Sequence, residues 1–313
     1  MDLKDSAVVF PGQGSQYIGM LTAYLDNHSS FLNTFKNCSD ILEIDLIDLI
    51  KNSSEEKISK TQITQPLMLV SDVALWNLII KKIRKPICVA GHSLGEFAAL
   101  VASEVISLED SLMLVKERSR LMQEAVPEGQ GAIAAIIGLE EKIINHICSN
   151  LSTNSKYIVG AANLNSENQV VISGTRLGVT KAIEECKSSG AKRALPLPMS
   201  IPAHSYLMKD AANKFLKILE YVEFKNPQIP VIHNFDALTE SNLDKIKNKL
   251  SKQIYSPVRW LDTMKAFSNK GVKTLIECGP NKILTSLAKR TLPSIQTISL
   301  DSYNNYLDIF NNG

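Results

Sequence analysis

The sequence predicts an α/β fold: a large domain built on a parallel sheet, interrupted by a smaller inserted domain. Three observations carry this. Short apolar stretches, "SAVVF" and "PICVAG", each run into a glycine-bearing turn. Helical patterns alternate with them, the strongest being "TQPLMLVSDVALWNLIIKKI". The middle of the chain then changes to short elements in the order β-α-β-β-α-β. With 313 residues, 44% of them hydrophobic, the chain is long enough to bury a large core and a smaller one.

Taken in order, "SAVVFPGQGSQ" reads as a buried strand entering a glycine-rich turn, followed by helices and then by the strand "PICVAG". The next helix is "LGEFAALVAS". Another runs from Ser107 to about Ala125: Ser107 is a hydroxyl N-cap, Glu109 and Asp110 place acids in the first turn, and Pro127 stops the pattern. Beyond it, "GAIAAIIG" reads as a strand and "EEKIINHICSNL" as a helix. "KYIVGAANL" and "QVVISGT" read as strands divided by the turn-rich "NSEN". "GVTKAIEECKSS" reads as a helix and "KRALPLPMS" as a last strand. That order is the ferredoxin-like split βαβ, so residues 128–197 are expected to form the insert. Residues 1–127 and 198–313 make the large domain, with later strands near "IPVIHN" and "VKTLIECG".

Composition narrows the function. A formal net charge of +2, with Lys and Arg dispersed among Asp and Glu, argues against a duplex nucleic-acid binder. "MDLKDSAVVFPGQGSQ" lacks the pattern of a signal peptide, and no apolar run approaches the ~20 residues that span a bilayer. A cytoplasmic chain without membrane partners is expected. Cys38, Cys88, Cys148, Cys186 and Cys278 form no CxxC pair and read as buried, reduced thiols. The five histidines show no metal-ligand spacing, so no metal is expected.

"GHSLG", between an apolar strand and a helical pattern, is a nucleophile elbow. The turn holds Ser93 in a strained conformation at the positive end of the next helix, where developing negative charge is favoured. Glu96 complements the same dipole. A serine needs a base. His92 is adjacent and should point away, packing in the turn, while His28 and His146 read as structural. His233, after the strand in "VIHNFDA", is a rival. His204, in "PMSIPAHSYLM", lies where the insert rejoins the large domain, a place where pockets form, and is preferred. The oxyanion hole calls for two N–H donors: Leu94, after the nucleophile, and Gln13 of "PGQGSQ". Losing such a donor typically costs about 2.7–4 kcal/mol of barrier. "PGQGSQ" matches neither nucleotide-binding glycine pattern.

Arg118 stands apart. At about 100° per residue, Leu114, Val115, Leu121, Met122 and Ala125 form an apolar stripe, with Lys116, Arg120 and Gln123 opposite. Arg118 falls inside the stripe. A buried guanidinium requires an anionic partner. That partner is either an internal Asp or Glu or the carboxylate of a substrate held by a bidentate fork.

Together these pieces resemble the malonyl-CoA:acyl carrier protein transacylases of fatty-acid synthesis. The resemblance rests on "FPGQGSQ", "GHSLGE", "RSRLMQEAVPEGQGAI", "NLNSENQVVISG", "IPAHSYLM", "QIYSPVRW" and "ECGPNKIL", in the family's order over essentially the whole chain. It implies an α/β-hydrolase-like large domain with a ferredoxin-like insert, Ser93 as nucleophile and His204 as base. It implies that the Gln253 backbone carbonyl orients the histidine and that Arg118 holds the malonyl carboxylate. Gln13 and Leu94 match the oxyanion donors, and Asn163 and Asn165 match asparagines near the CoA and carrier-arm channel. The implied partners are malonyl-CoA and acyl carrier protein. No cofactor is expected, since the phosphopantetheine arrives on the carrier, and a monomer is expected. Lys245, Lys247 and Lys249 could steer an acidic carrier. A serine hydrolase and a non-enzymatic acyl-CoA-binding module remain as alternatives.

Overall fold

Strands buried on both faces are written as continuous apolar runs, and "SAVVF" and "CVAG" are buried throughout. In the computed structural model, which describes residue 3 and residues 5–199 and 201–310, they are the centre of a five-stranded sheet. Numbered along the chain, its strands are β1 (Ser6–Phe10), β2 (Cys88–Gly91), β7 (Val231–Ile232), β8 (Thr274–Glu277) and β9 (Gln296–Ser299). They lie in the order β7-β2-β1-β8-β9, all parallel. Residue alternation splits each strand between two cores. Val8, Phe10 and Val89 join the Thr61–Ile79 and Gly95–Ala102 helices, while Ala7, Val9, Cys88 and Ala90 join Trp260, Met264 and Leu287. The expected double-sided parallel sheet is present. Strand β9 was not anticipated, because "QTIS" is short, half polar and partly exposed at an edge.

A second, antiparallel sheet holds β3 (Gly131–Ile137), β4 (Val159–Ser166), β5 (Gln169–Thr175) and β6 (Arg193–Pro196) in the order β4-β5-β3-β6. The helices Glu141–Leu151 and Arg176–Ser188 cover one face, completing the β-α-β-β-α-β order. "KRALPLPMS" ends as a strand at Pro196, and Pro198 can donate no ladder bond; Ser200 lies outside the described residues. Alternation again decides function. Ala134 and Ile136 face the helices, whereas Ile133, Ala135 and Val171 face away from them and line a cleft beside the first sheet. Two backbone bonds tie β4 to the segment just before the Trp260–Asn269 helix, Leu164 N–H to Val258 O at 2.9 Å and Val258 N–H to Ala162 O at 2.9 Å.

Register places the loops that matter. Phe10 pairs with Gly91, so the strand ends that release "PGQGSQ" and the serine turn are neighbours. Ligands bind outside the carboxyl ends of strands in such sheets. The turn is crowded: a Cβ on Gly91 would sit 1.8 Å from the Gly95 carbonyl carbon, and one on Gly12 would sit 2.4 Å from the His92 oxygen. Gly91→Ala is therefore expected to cost more than about 4 kcal/mol and to yield no folded protein by circular dichroism; a folded, active variant would contradict the crowding. All five cysteines are buried and free. Among the described residues, no helix is long and apolar enough to cross a membrane.

Candidate active site

Ser93 adopts φ 53°, a left-handed conformation that non-glycine residues avoid. The turn keeps it there. The Ser93 N–H donates to Asn234 Oδ1 at 2.7 Å, and Asn234 Nδ2 donates to Gly91 O at 2.6 Å. Asn234, just past β7, thus straps both sides of the elbow. The Ser93 hydroxyl lies 2.7 Å from His204 Nε2, and His204 Nδ1–H donates to the Gln253 carbonyl at 2.7 Å. That second bond sets the tautomer: Nε2 carries the lone pair and faces the hydroxyl.

Burial, then the nearby positive charge of Arg118, pushes the His204 imidazole down from 6.5 to about 3, although the Gln253 carbonyl opposes this. A group held neutral across the physiological range can accept a proton from Ser93 at any such pH. The rate of serine acylation is accordingly expected to show no titration near 6.5 and to decline only as pH falls toward about 3. Arg118→Ala should move that acid limb upward, since one of the depressing charges is gone. A limb near 6.5 in the unaltered protein would refute this. The same shift bears on stability. The folded value lies below the unfolded one, so the unfolded chain protonates first, and stability is lost as pH falls from 6.5 toward about 3.

Arg118 is 1% exposed, on the apolar face of the Leu108–Glu124 helix as expected. Among the described residues, no carboxylate touches it. Nη1 donates to Gln65 Oε1 at 2.5 Å, and Nη2 donates to Gln253 Oε1 at 2.9 Å and to Ser93 Oγ at 3.2 Å. Nε is buried without a partner. Burial pushes the guanidinium down to about 10, which Glu96 opposes, and it stays charged at neutral pH. A full positive charge therefore sits against Ser93 with only neutral oxygens around it. Among the described residues, the internal Asp or Glu contact that the sequence left open is not made.

A cleft of about 380 Å³ opens over these groups, lined by Gln13, Leu94, Arg118, Asn163, Asn165 and His204 among others. Every site residue singled out from the sequence borders it except Gln253, which lies beneath and is wholly buried. Among the described residues, neither the Gln13 nor the Leu94 backbone N–H finds an acceptor. Asn165 Oδ1 meets His92 Nε2 at 3.0 Å, and the His92 ring packs on Trp260 with centroids 5.4 Å apart. His92 thus does pack, on Trp260 of the first sheet's core, while its ring nitrogen bonds to Asn165 of β4. Asn163 Oδ1 is buried without a partner at the edge of the same cleft.

Some expectations need correction. Glu96 does more than face a helix dipole: it is fully buried, and its carboxylate accepts from His233 Nδ1 at 2.8 Å, Gln253 Nε2 at 2.7 Å and Asn234 N at 3.3 Å. His233 is bound there and is no rival base. Lys247 donates to Val222 O and covers the Phe224 ring, and Lys249 pairs with Asp236 at 2.9 Å. Both are engaged within the fold, and of the three only Lys245 is exposed. Sequence reasoning missed Gln65, Asn234 and the Gln253 side chain. A glutamine beginning the apolar run "QPLMLV" and an asparagine just after a parallel strand were the available signals.

Comparison with known proteins gives the family. Residues 7–303 match the acyl transferase domain family. The malonyl CoA-acyl carrier protein transacylase of Haemophilus influenzae is 42% identical over 301 residues, covering 96% of each chain. That of Escherichia coli K12 is 43% identical over 296 residues, covering 94% of this chain and 95% of the other. Among solved structures, a malonyl-transacylase in complex with its type II PKS acyl-carrier protein superposes with TM-score 0.95 at 41% identity, covering 99% of this chain and all of the other (100%). An acyl carrier protein S-malonyltransferase from Vibrio cholerae superposes at 0.94 with 42% identity, covering 98% and 100%. The chain belongs to the acyl transferase domain family and, within it, to the malonyl CoA-acyl carrier protein transacylases.

Proposed function

We propose that this chain transfers the malonyl group of malonyl-CoA to the phosphopantetheine thiol of acyl carrier protein, supplying fatty-acid elongation. One observation carries the reading: Ser93 Oγ lies 2.7 Å from a neutral histidine nitrogen and 3.2 Å from a buried guanidinium that no carboxylate among the described residues touches. Attack on an acyl carbon needs the first contact. An acyl group ending in a carboxylate answers the second.

In the proposed cycle Ser93 Oγ attacks the malonyl thioester while His204 Nε2 takes the hydroxyl proton. The oxyanion is met by the Gln13 and Leu94 N–H groups. Collapse expels the CoA sulfur, which leaves with the proton from His204, and malonyl-Ser93 remains. The carrier thiol then attacks this ester, gives its proton to His204, and Ser93 departs with that proton. Gln253, through its carbonyl, keeps the imidazole in register. Arg118 binds the malonate carboxylate. Asn163 and Asn165 border the arm channel. The proposed cycle uses no metal or resident cofactor, and it draws every proposed group from one chain, which fits a monomer. The fold labels that fit are an α/β-hydrolase-like domain of residues 1–127 and 198–313 and a ferredoxin-like insert of residues 128–197.

Intact mass after mixing with malonyl-CoA tests this. A malonyl adduct should form, persist without acceptor and clear when carrier protein bearing its thiol is added. Free malonate without an adduct would instead make the chain a hydrolase, and no reaction would leave a binding module.

A further inference from the structure

Glu96 and His233 lie behind the reacting groups, and neither touches the cleft. Both side chains are buried, at 1% and 0% exposure, and their contact is 2.8 Å. The far nitrogen of His233, Nε2, is buried without a partner, so the ring's hydrogen bonding is spent on Glu96 alone. The other carboxylate oxygen of Glu96 accepts from Gln253 Nε2 at 2.7 Å, and the same amide nitrogen donates to Ser93 O at 2.8 Å. Those two acceptors leave the Gln253 amide one orientation. Turned over, it would set its oxygen against a carboxylate and a carbonyl, and its NH2 against the guanidinium. As it stands, Gln253 Oε1 meets Arg118 Nη2 at 2.9 Å.

A continuous line therefore runs from His233 through Glu96 and Gln253 to Arg118. The buried negative charge nearest the guanidinium in this line stays one side chain away from it. Had Glu96 touched Arg118 directly, the guanidinium would already hold a carboxylate and would select nothing. The intervening amide aims the guanidinium and leaves its charge uncancelled.

We propose that Glu96, held by His233, is a positioning residue for selection of carboxylate-bearing acyl groups, acting by fixing the Gln253 amide that aims Arg118. The inference rests on the malonyl-transfer reading. His233 supplies the donor without which one carboxylate oxygen would be buried and unpaired, freeing the carboxylate to rotate off Gln253. Any side chain with an N–H one bond beyond Cγ can fill the role. Asn does so at the same place as His Nδ1.

The test compares malonyl-CoA and acetyl-CoA as donors to carrier protein for the unaltered chain and for His233→Leu, His233→Asn and Glu96→Gln, with folding followed by circular dichroism. His233→Leu should lower kcat/KM for malonyl-CoA about tenfold, mainly through KM, and lower the malonyl-to-acetyl ratio at least fivefold; His233→Asn should restore both. If His233→Leu does not fold, Glu96→Gln decides, since it keeps the shape, removes the charge and should lower the same ratio. An unchanged ratio in a folded His233→Leu or Glu96→Gln, or equal losses on both thioesters, overturns the proposal. So does failure of a folded His233→Asn to restore. If the unaltered chain forms no malonyl adduct, the transfer reading has failed and the inference falls with it, an outcome distinct from an unchanged ratio.

Discussion

Ser93→Ala is expected to abolish the malonyl adduct seen by intact mass and to reduce transfer by about 10⁴-fold or more, on the scale seen when the nucleophile of a serine-histidine pair is removed. The size follows from geometry. Ser93 Oγ meets both His204 Nε2 and Arg118 Nη2, at 2.7 and 3.2 Å. Without it, CoA and carrier thiols would have to react directly. The backbone should not suffer: the strained turn at φ 53° is held by Asn234 and the crowded glycines, not by the hydroxyl. The variant should therefore fold as the unaltered chain does and still bind malonyl-CoA in an equilibrium measurement. An adduct on the folded variant would place the nucleophile elsewhere.

Arg118→Ala is expected to lose malonyl transfer by roughly 10² to 10³-fold while acetyl transfer rises relative to it, by analogy with the 3–5 kcal/mol of a broken buried charge pair. The structure favours the lower end of that range. In the free protein the guanidinium already donates to Gln65 Oε1, Gln253 Oε1 and Ser93 Oγ, so an acetyl group would leave its charge uncancelled but not its hydrogen bonds unmade. Parallel rates on malonyl-CoA and acetyl-CoA separate the readings: equal loss on both would make Arg118 a structural residue.

Much of this site was legible because its parts are local. A glycine on each side of Ser93 is demanded by a turn in which a Cβ on Gly91 would strike the next helix and one on Gly95 would strike the Phe10 and Pro11 backbone. Arg118 was visible because helical periodicity assigns a face, and a charge on an apolar face stands out. His204 was chosen by its place at a junction, and it lies at Ser93. Other groups were not legible because they act across long separations. Gln253 approaches Ser93 through its side chain and His204 through its backbone, and no spacing announces either contact. Glu96 read as a first-turn acid, and only the return of β7 beside β2 places His233 and Asn234 against it.

By itself, then, the sequence determined the parallel sheet, the antiparallel insert, the serine elbow and the buried arginine, because each follows from hydrophobic period, glycine sterics or the cost of burying a charge within one element. Only the tertiary structure decided what the arginine faces. Electrostatic partners are set by which strand ends lie side by side. Here the order β7-β2-β1-β8-β9 brings Glu96 close enough to oppose the guanidinium's loss of its proton while the Gln253 amide keeps it from touching.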